Sequence, residues 1–476
     1  MSSRFFILLM MLSFVLFLGC EREYVYNGGG EGLQFSTDTV AFDTVFTSIG
    51  SSTHNLRIFN PVQDDIIVNA IELAGGDNSE FSLNVNGKAG SMIRDVPLRG
   101  NDSLFVFVEV DINPSSDNSP FVVSDSIIFY TDNHIQTVNL VAYGQNVVPL
   151  REEWLETQTF TNDKPYLIYD YMVVDSAQTL TIEPGARLHF HEDASLIVLG
   201  SLQVEGEVDN PVIFTSDRME DWYKDKPGQW GFIHLMPESR EHSFNHAVIR
   251  NSTMGIVADS VGLGDDPPVQ INNVRIEHIS SQGLIAQNSS IEASNSLFAD
   301  CGSASVALTV GGTYKFYHCT IANYFDWAYR STPALVISNF FTDSDGKKIS
   351  QPLDAADFHN CIVYGRNENE VKFDFEVEDD EEVTDWINVH FSNSLVKMLP
   401  ERMGSYSHAF DEDVIFNEDP SFVDVSEYDY RLDTVSIALD KGGMEVAREF
   451  PEDIEGNSRL EDKGPDMGAF ERVDEQ

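Results

Sequence analysis

The sequence predicts an all-β protein in two parts, a sandwich of antiparallel strands followed by a solenoid of short strands. Three observations predict it. From 173 to 218 the chain reads VVDSAQTLTIEPGARLHFHEDASLIVLGSLQVEGEVDNPVIFTSDR, with apolar runs at 180–182, 188–190, 196–199, 202–204 and 212–214. Pro184-Gly185, Gly200, Gly206 and Asn210-Pro211 cut these runs, each too short for a helix, so each reads as a strand. Second, a short motif recurs downstream at a spacing that suits one coil of a solenoid. Third, the segment before 148 alternates apolar and polar residues between loops rich in Gly, Asn, Asp and Pro.

The chain has 476 residues, is 42% hydrophobic and 11% aromatic, and can bury a substantial core in two or three domains. Its 32 glycines and 18 prolines are spread along its length, as many short strands require. The net charge is −49. That excludes nucleic acid or anionic lipid head groups held on a basic face, because phosphate attraction needs clustered Lys and Arg. The four cysteines are Cys20, Cys301, Cys319 and Cys361. They form no CxxC, which argues against a zinc site or a disulfide framework.

Residues 1–20, MSSRFFILLMMLSFVLFLGC, have Arg4 before an apolar run at 5–18 that is short for a membrane span and suits a signal peptide. Gly19-Cys20 ends it. This resembles a bacterial lipoprotein lipobox of the looser kind found in the Bacteroidetes, with Phe17 where leucine is usual. The resemblance implies that Cys20 is acylated and anchors the protein to the outer membrane, with its surface or periplasmic face left open. Residues 21–32 (EREYVYNGGGEG) read as a flexible tether.

Between 33 and 148 strands are expected at 33–35, 39–42, 55–59, 66–73, 81–85, 104–110, 126–130 and 137–142. That many short strands with turns between them predict a β-sandwich. The order STDTVAFDTVFTSIGSSTHNLRIFNP, LFVFVEVDINP, DSIIFYTDN and VNLVAYG resembles the immunoglobulin-like domains of the ASPM–Hydin type. Such domains act as spacers or docking modules, so no catalytic residue carries over.

The solenoid is expected from 160 to 475. TLTIEPGARLHF, LIVLGSLQVEGE, NPVIFTS and GQWGFIHL resemble the opening coils of a right-handed parallel β-helix of the pectate-lyase-like superfamily. HAVI, NVRI, NSLF, HCTI, NCIV and NSLV then repeat, starting at His246, Asn273, Asn295, His318, Asn360 and Asn393. The tightest steps, 22 and 23 residues, are one coil, and the longer ones accommodate insertions. The leading Asn or His is expected in a turn, tolerating left-handed backbone and bonding the next coil. The second position (Ala247, Val274, Ser296, Cys319, Cys361, Ser394) is expected to stack inside. Asp453 to Arg459 and PDMGAFE at 465–471 resemble the closing segment of secreted β-helix proteins ending in PDxGAxE. The resemblance implies a cap over the last coil, with Asp453 and Arg459 paired.

The polygalacturonase runs NxD, DD, GHG and RxK are not found in order, and HExxH, GxSxG and Walker motifs are missing. No cofactor and no metal are expected. His189 and His191, Asp343 to Lys347, and the acidic insertion at 368–385 read as a strand face, a turn and a solvated loop, with cation binding as the alternative. Aromatic residues carry the stronger functional signal. Trp222 and Tyr223 lie in MEDWYKDKPGQWG, and Tyr324, Trp327 and Tyr329 in ANYFDWAYR, where rings can stack on sugars or anchor a protein.

The expected function is a non-catalytic cell-envelope module that binds a polysaccharide or an outer-membrane protein complex. The alternatives are a polysaccharide lyase or glycoside hydrolase using flank carboxylates, and an accessory subunit of an outer-membrane machine. Acids grouped around one basic residue beside Trp327 would favour the enzyme. Exposed aromatic rings on a flat flank would favour binding.

Overall fold

The structure, a computed structural model, describes residues 32–47, 49–114, 120–132, 134–376, 386–461 and 463–473. Cys20, the leader, nearly all of the tether and residues 377–385 of the acidic insertion lie outside them. The chain divides into two compact units, Met1–Asn146 and Val147–Gln476.

The first unit is an immunoglobulin-like sandwich of two five-stranded sheets. One runs Gln34–Phe35, His54–Phe59, Ser103–Val110, Phe81–Val85, Lys88–Gly90. The other runs Thr39–Phe46, Ile135–Gln145, Phe121–Tyr130, Ile66–Leu73, Met92–Leu98. In Ser103–Val110 the alternation is complete. Leu104, Val106, Val108 and Val110 point into the core, while Phe105 and Phe107 are exposed. Asn60 of the Asn-Pro turn is fully buried. Its side chain donates to the carbonyls of Asp64 and Arg99 and accepts from the Val62 amide. Two strands, Lys88–Gly90 and Met92–Leu98, were not expected. In Met92–Leu98, Arg94, Asp95 and Pro97 break the period of two, and Asp95 is left-handed. The strand lies at its sheet's edge, where proline is tolerated.

The second unit is the right-handed parallel β-helix. It begins at Val148, ahead of the expected 160, because Val148–Leu155 already pairs in parallel with Tyr166–Val174. Three sheets run its length, and each strand pairs with its counterpart one coil later. The first sheet extends from Gln158–Phe160 to Ile387–Ser392. The second extends from 166–168 to Ile415–Phe416. The third extends from 171–174 to Val371–Asp374. Inside, Phe316, Phe358, Phe391 and Phe410 stack with ring centroids 5.0, 4.5 and 5.0 Å apart. Phe316, Phe358 and Phe391 are fully buried, and each contributes about 1.5–3 kcal/mol. Gly200 is required by close approach, since a Cβ there would sit 2.1 Å from the carbonyl oxygen of Gln178.

The repeated motif marks the corner between the first and second sheets. His246, Asn273, Asn295, His318, Asn360 and Asn393 all have φ between 43° and 58°. Successive members touch: Asn273 Nδ2 reaches His246 Nε2 at 3.3 Å, and Asn360 Nδ2 reaches His318 Nε2 at 2.8 Å. The second positions are buried, and Cys301, Cys319 and Cys361 are free thiols.

The C-terminal segment does not cap the last coil. The solenoid end is covered by 400–416, where Met403, Phe410 and Phe416 pack on the core. From 417 the chain turns back as a strap along the outside of the second sheet. Leu432, Ala438 and Met467 cover Ile362, Tyr364 and Leu395. Tyr430, Ile454, Ala469 and Phe470 cover Leu297, Ala299 and Ala322. Farther back, Glu455 pairs with Arg275 at 3.1 Å. The physical reason is that these outward positions are apolar and must be covered. Nor do Asp453 and Arg459 pair as expected. Arg459, fully buried, binds the Glu471 carboxylate and Asn295 Oδ1, while Asp453 accepts the amides of Glu455, Asn457 and Glu471.

Candidate functional site

The corner between the second and third sheets carries the residues with functional potential. The chain crosses it by segments 217–232, 251–255, 278–283, 300–305, 324–334 and 366–370. The three inner crossings, 251–255, 278–283 and 300–305, are short and rich in Ser and Gly. They stack through main-chain bonds from Ser280 to Ser252, Ser281 to Thr253 and Ser303 to Ser281 at 2.9–3.0 Å. The long crossings 217–232 and 324–334 flank them, and these hold the aromatic residues.

Both long loops are fixed by polar side chains, some from the coils beneath and some their own. Asn251, 2% exposed and left-handed, donates to the carbonyls of Lys224 and Lys226 at 2.9 and 3.0 Å. Its Oδ1 accepts from the Thr215 hydroxyl at 3.0 Å. Gln229 Nε2 donates to the carbonyls of Tyr223 and Lys226, both at 2.7 Å. In the second loop Arg330 forms a buried bidentate pair with Glu370 at 2.6 and 2.8 Å and donates to the Asn323 carbonyl. The Glu370 carboxylate also accepts the amides of Ala334 and Asn367. Such desolvated bonds hold the loops in one conformation, which lowers the ordering cost of binding.

On these supports Trp222 is 71% exposed, Trp327 44% and Tyr329 93%. Tyr223 and Tyr324 are already engaged. Arg218 lies 3.8 Å and Lys226 4.9 Å from the Tyr223 ring, and Tyr324 packs on Phe422 and Tyr430 of the strap. Between the loops sits a pair the sequence did not single out. His278 is 4% exposed, lies 3.7 Å from Asp225 of the first loop, and meets Tyr428 of the strap edge-on at 4.4 Å. Tyr428 is left-handed, a strained setting for a bulky residue, and hydrogen-bonds Trp327. Burial lowers the His278 pKa against the pull of Glu277, Asp225 and Asp326, which favours the neutral ring. Burial raises Tyr428, assisted by Asp326, Asp300 and Asp225. Below them Asp300 is buried, accepts from the Tyr430 hydroxyl at 2.6 Å, and is pushed up by burial to about 7.

The other motifs are structural. His189 is buried, with Nδ1 2.9 Å from the Ser216 carbonyl, and His191 pairs with Asp217 at 2.7 Å, so the two imidazoles do not converge. Asp343 closes a hairpin turn, its Oδ1 accepting the amides of Asp345 and Lys347. Among the described residues no group of three His, Cys, Asp or Glu has metal-binding geometry.

No family model and no curated protein matches the chain. Solved structures match weakly. A family 123 glycoside hydrolase from Clostridium perfringens aligns at 9% identity over 25% of this chain and 26% of its own, with a TM-score of 0.17. The PapD-like domain of human CEP192 aligns at 10% identity over 27% of this chain and 96% of its own, also at 0.17. A protein of unknown function from Porphyromonas gingivalis aligns at 9% identity over 27% and 61%, at 0.18. The chain thus spans about a quarter of the hydrolase. At these scores the matches carry no argument about what this chain binds or does.

Proposed function

We propose that the protein is a lipid-anchored cell-envelope module whose solenoid corner holds a polysaccharide without cleaving it. The observation that carries this reading is the rigid presentation of Trp222, Trp327 and Tyr329 by Asn251, Gln229 and the buried Arg330–Glu370 pair. Flat rings stack on sugar faces, and preformed loops keep the ordering cost small. The compact acids beside Trp327 do include one basic residue, His278, which is the arrangement an enzyme would use. His278 is only 4% exposed, however, and lies 3.7 Å from Asp225 and edge-on to Tyr428. Retention in affinity electrophoresis, with no new reducing ends released, is the expected result, and Trp222→Ala should abolish the retention. Release of product that Asp225→Asn stops would instead favour the hydrolase or lyase reading.

The anchor belongs to the same reading. Cys20 is the acylated residue of a Bacteroidetes-type lipoprotein of the outer membrane, and labelled palmitate should enter the wild type and not Cys20→Ser. A PDxGAxE-type closing segment and an ASPM–Hydin-type module complete the proposed relationship. A second reading, an accessory subunit of an outer-membrane machine, is favoured by Phe105 and Phe107. Both are exposed on one outer face of the sandwich with Arg57 5.7 Å from the Phe105 ring. Stoichiometric recovery of a membrane complex with the tagged protein, lost on Phe105→Ser/Phe107→Ser, would support it.

A further inference from the structure

We infer that the corner takes an uncharged glycan and rejects polyanionic chains such as uronates, an inference that rests on the polysaccharide reading above. The argument is an inventory of charge. Arg218 is held on Glu220 at 2.8 Å and stacked on Tyr223, and Lys226 lies over the same ring. Arg330 is buried in its bidentate pair with Glu370. The cations of the two aromatic loops are therefore largely engaged, except Lys224, which is exposed.

The acids are less engaged. Asp221 adjoins Trp222 and Asp326 adjoins Trp327, and both are exposed. Asp225 lies 3.7 Å from the buried His278 and in no pair with Lys or Arg. Asp326 and Asp225 both raise Tyr428 as charges, while Asp300, pushed up by burial to about 7, adds at most part of a charge beneath it. Asp300 Oδ2 is buried without a hydrogen-bond partner. Arg250 stands beside Glu277 in register, which offsets one acid and leaves the balance negative.

The floor between the loops exposes hydroxyls. Thr253, Ser280, Ser281 and Ser303 are exposed or half-buried there. Hydroxyls of this kind match the hydroxyls of a neutral sugar. A uronate would bring a carboxylate beside Asp221, Asp225 and Asp326, with only Lys224, Arg250 and Arg366 outside the ion pairs and ring contacts to offset them, and a surplus of like charge is an effective means of rejection. The whole-chain charge of −49 adds a long-range repulsion in the same direction.

The test uses the full chain against two sets of polysaccharides. One is neutral (laminarin, galactomannan, xylan, dextran) and the other uronate-rich (polygalacturonate, alginate). Affinity electrophoresis and calorimetry at low and high salt read the binding. At least one neutral chain should bind, with affinity falling tenfold or more in Trp222→Ala and in Tyr329→Ala, both exposed positions. Uronates should bind at least tenfold more weakly, and most weakly at low salt, where repulsion is least screened. Asp221→Lys/Asp326→Lys should admit them. Uronate binding as strong as neutral binding, and sensitive to Trp222→Ala, would overturn the charge inference while leaving the polysaccharide reading standing. Binding of neither set would overturn both.

Discussion

Asp300 stores instability at the candidate site. Burial raises its pKa from 3.8 to about 7, so the folded state holds a proton through that range and the unfolded state does not. Stability from this group is complete below pH 3.8 and is lost as pH rises through 7. Asp300→Asn keeps an acceptor for the Tyr430 hydroxyl and removes the buried charge. Its melting temperature should exceed the wild type's at pH 8, with the difference closing toward pH 4. An equal or lower value at pH 8 would contradict the assignment. Arg330 is the opposite case. Arg330→Met strands the Glu370 carboxylate, which is 0% exposed, and should cost about 3–5 kcal/mol in urea unfolding. The aromatic loop then loses its support, so glycan affinity should fall in this variant without any change at Trp327 or Tyr329. Arg330→Met/Glu370→Leu should recover part of the stability and none of the affinity.

The left-handed ladder at the first corner is the element that joins coil to coil and coil to strap. Asn360 does three things there. It holds φ at 58°, donates to His318 Nε2 at 2.8 Å, and exchanges bonds with Gly443 of the strap at 2.6 and 3.1 Å. Asn360→Ala loses the bonds and strains the backbone, with an expected cost of about 1–3 kcal/mol. Asn360→Gly loses only the bonds and should cost less, a difference that chemical denaturation resolves. The ladder was legible because Asn and His recur at one register, and few other residues tolerate that conformation. The strap's path was not legible. PDMGAFE carries no signal of direction, and only the apolar outward residues Leu297, Ile362 and Leu395, on three different coils, determine where it lies.

Acid should loosen the solenoid as a whole. His189 and His242 are lowered by burial to about 4, and His318, buried beneath the strap and near Arg459, lies well below 6.5. Between those values and 6.5 the unfolded chain binds protons that the folded chain refuses. Stability is therefore present above pH 6.5 and falls as pH drops from 6.5 toward 4. Asp300 acts oppositely between 3.8 and 7 and Asp217 is raised as well, but burial also lowers His234, His246, His278 and His359. The unfolding midpoint, followed from pH 7.5 to 4.5 at constant salt, should decline over that interval, and a flat profile would refute the account. Added salt at neutral pH should raise the midpoint, because a chain of net charge −49 repels itself.

The local features were readable from the chain alone. Strands, turns, the coil period and the inward small residues follow from patterns a few residues long, since each coil meets only its neighbours. The candidate site was readable in part. Trp222, Trp327 and Tyr329 stood out as aromatic residues in long insertions, but nothing nearby distinguished them from Tyr223 and Tyr324, whose rings are covered. Asp225, His278, Asp326 and Tyr428 meet because the loop lengths of intervening coils bring the first three to one corner and the strap returns the fourth. Periodicity determines which residues face inward. Which outward residues become neighbours depends on insertions and on a segment returning from the far end of the chain, and only the folded molecule decides that.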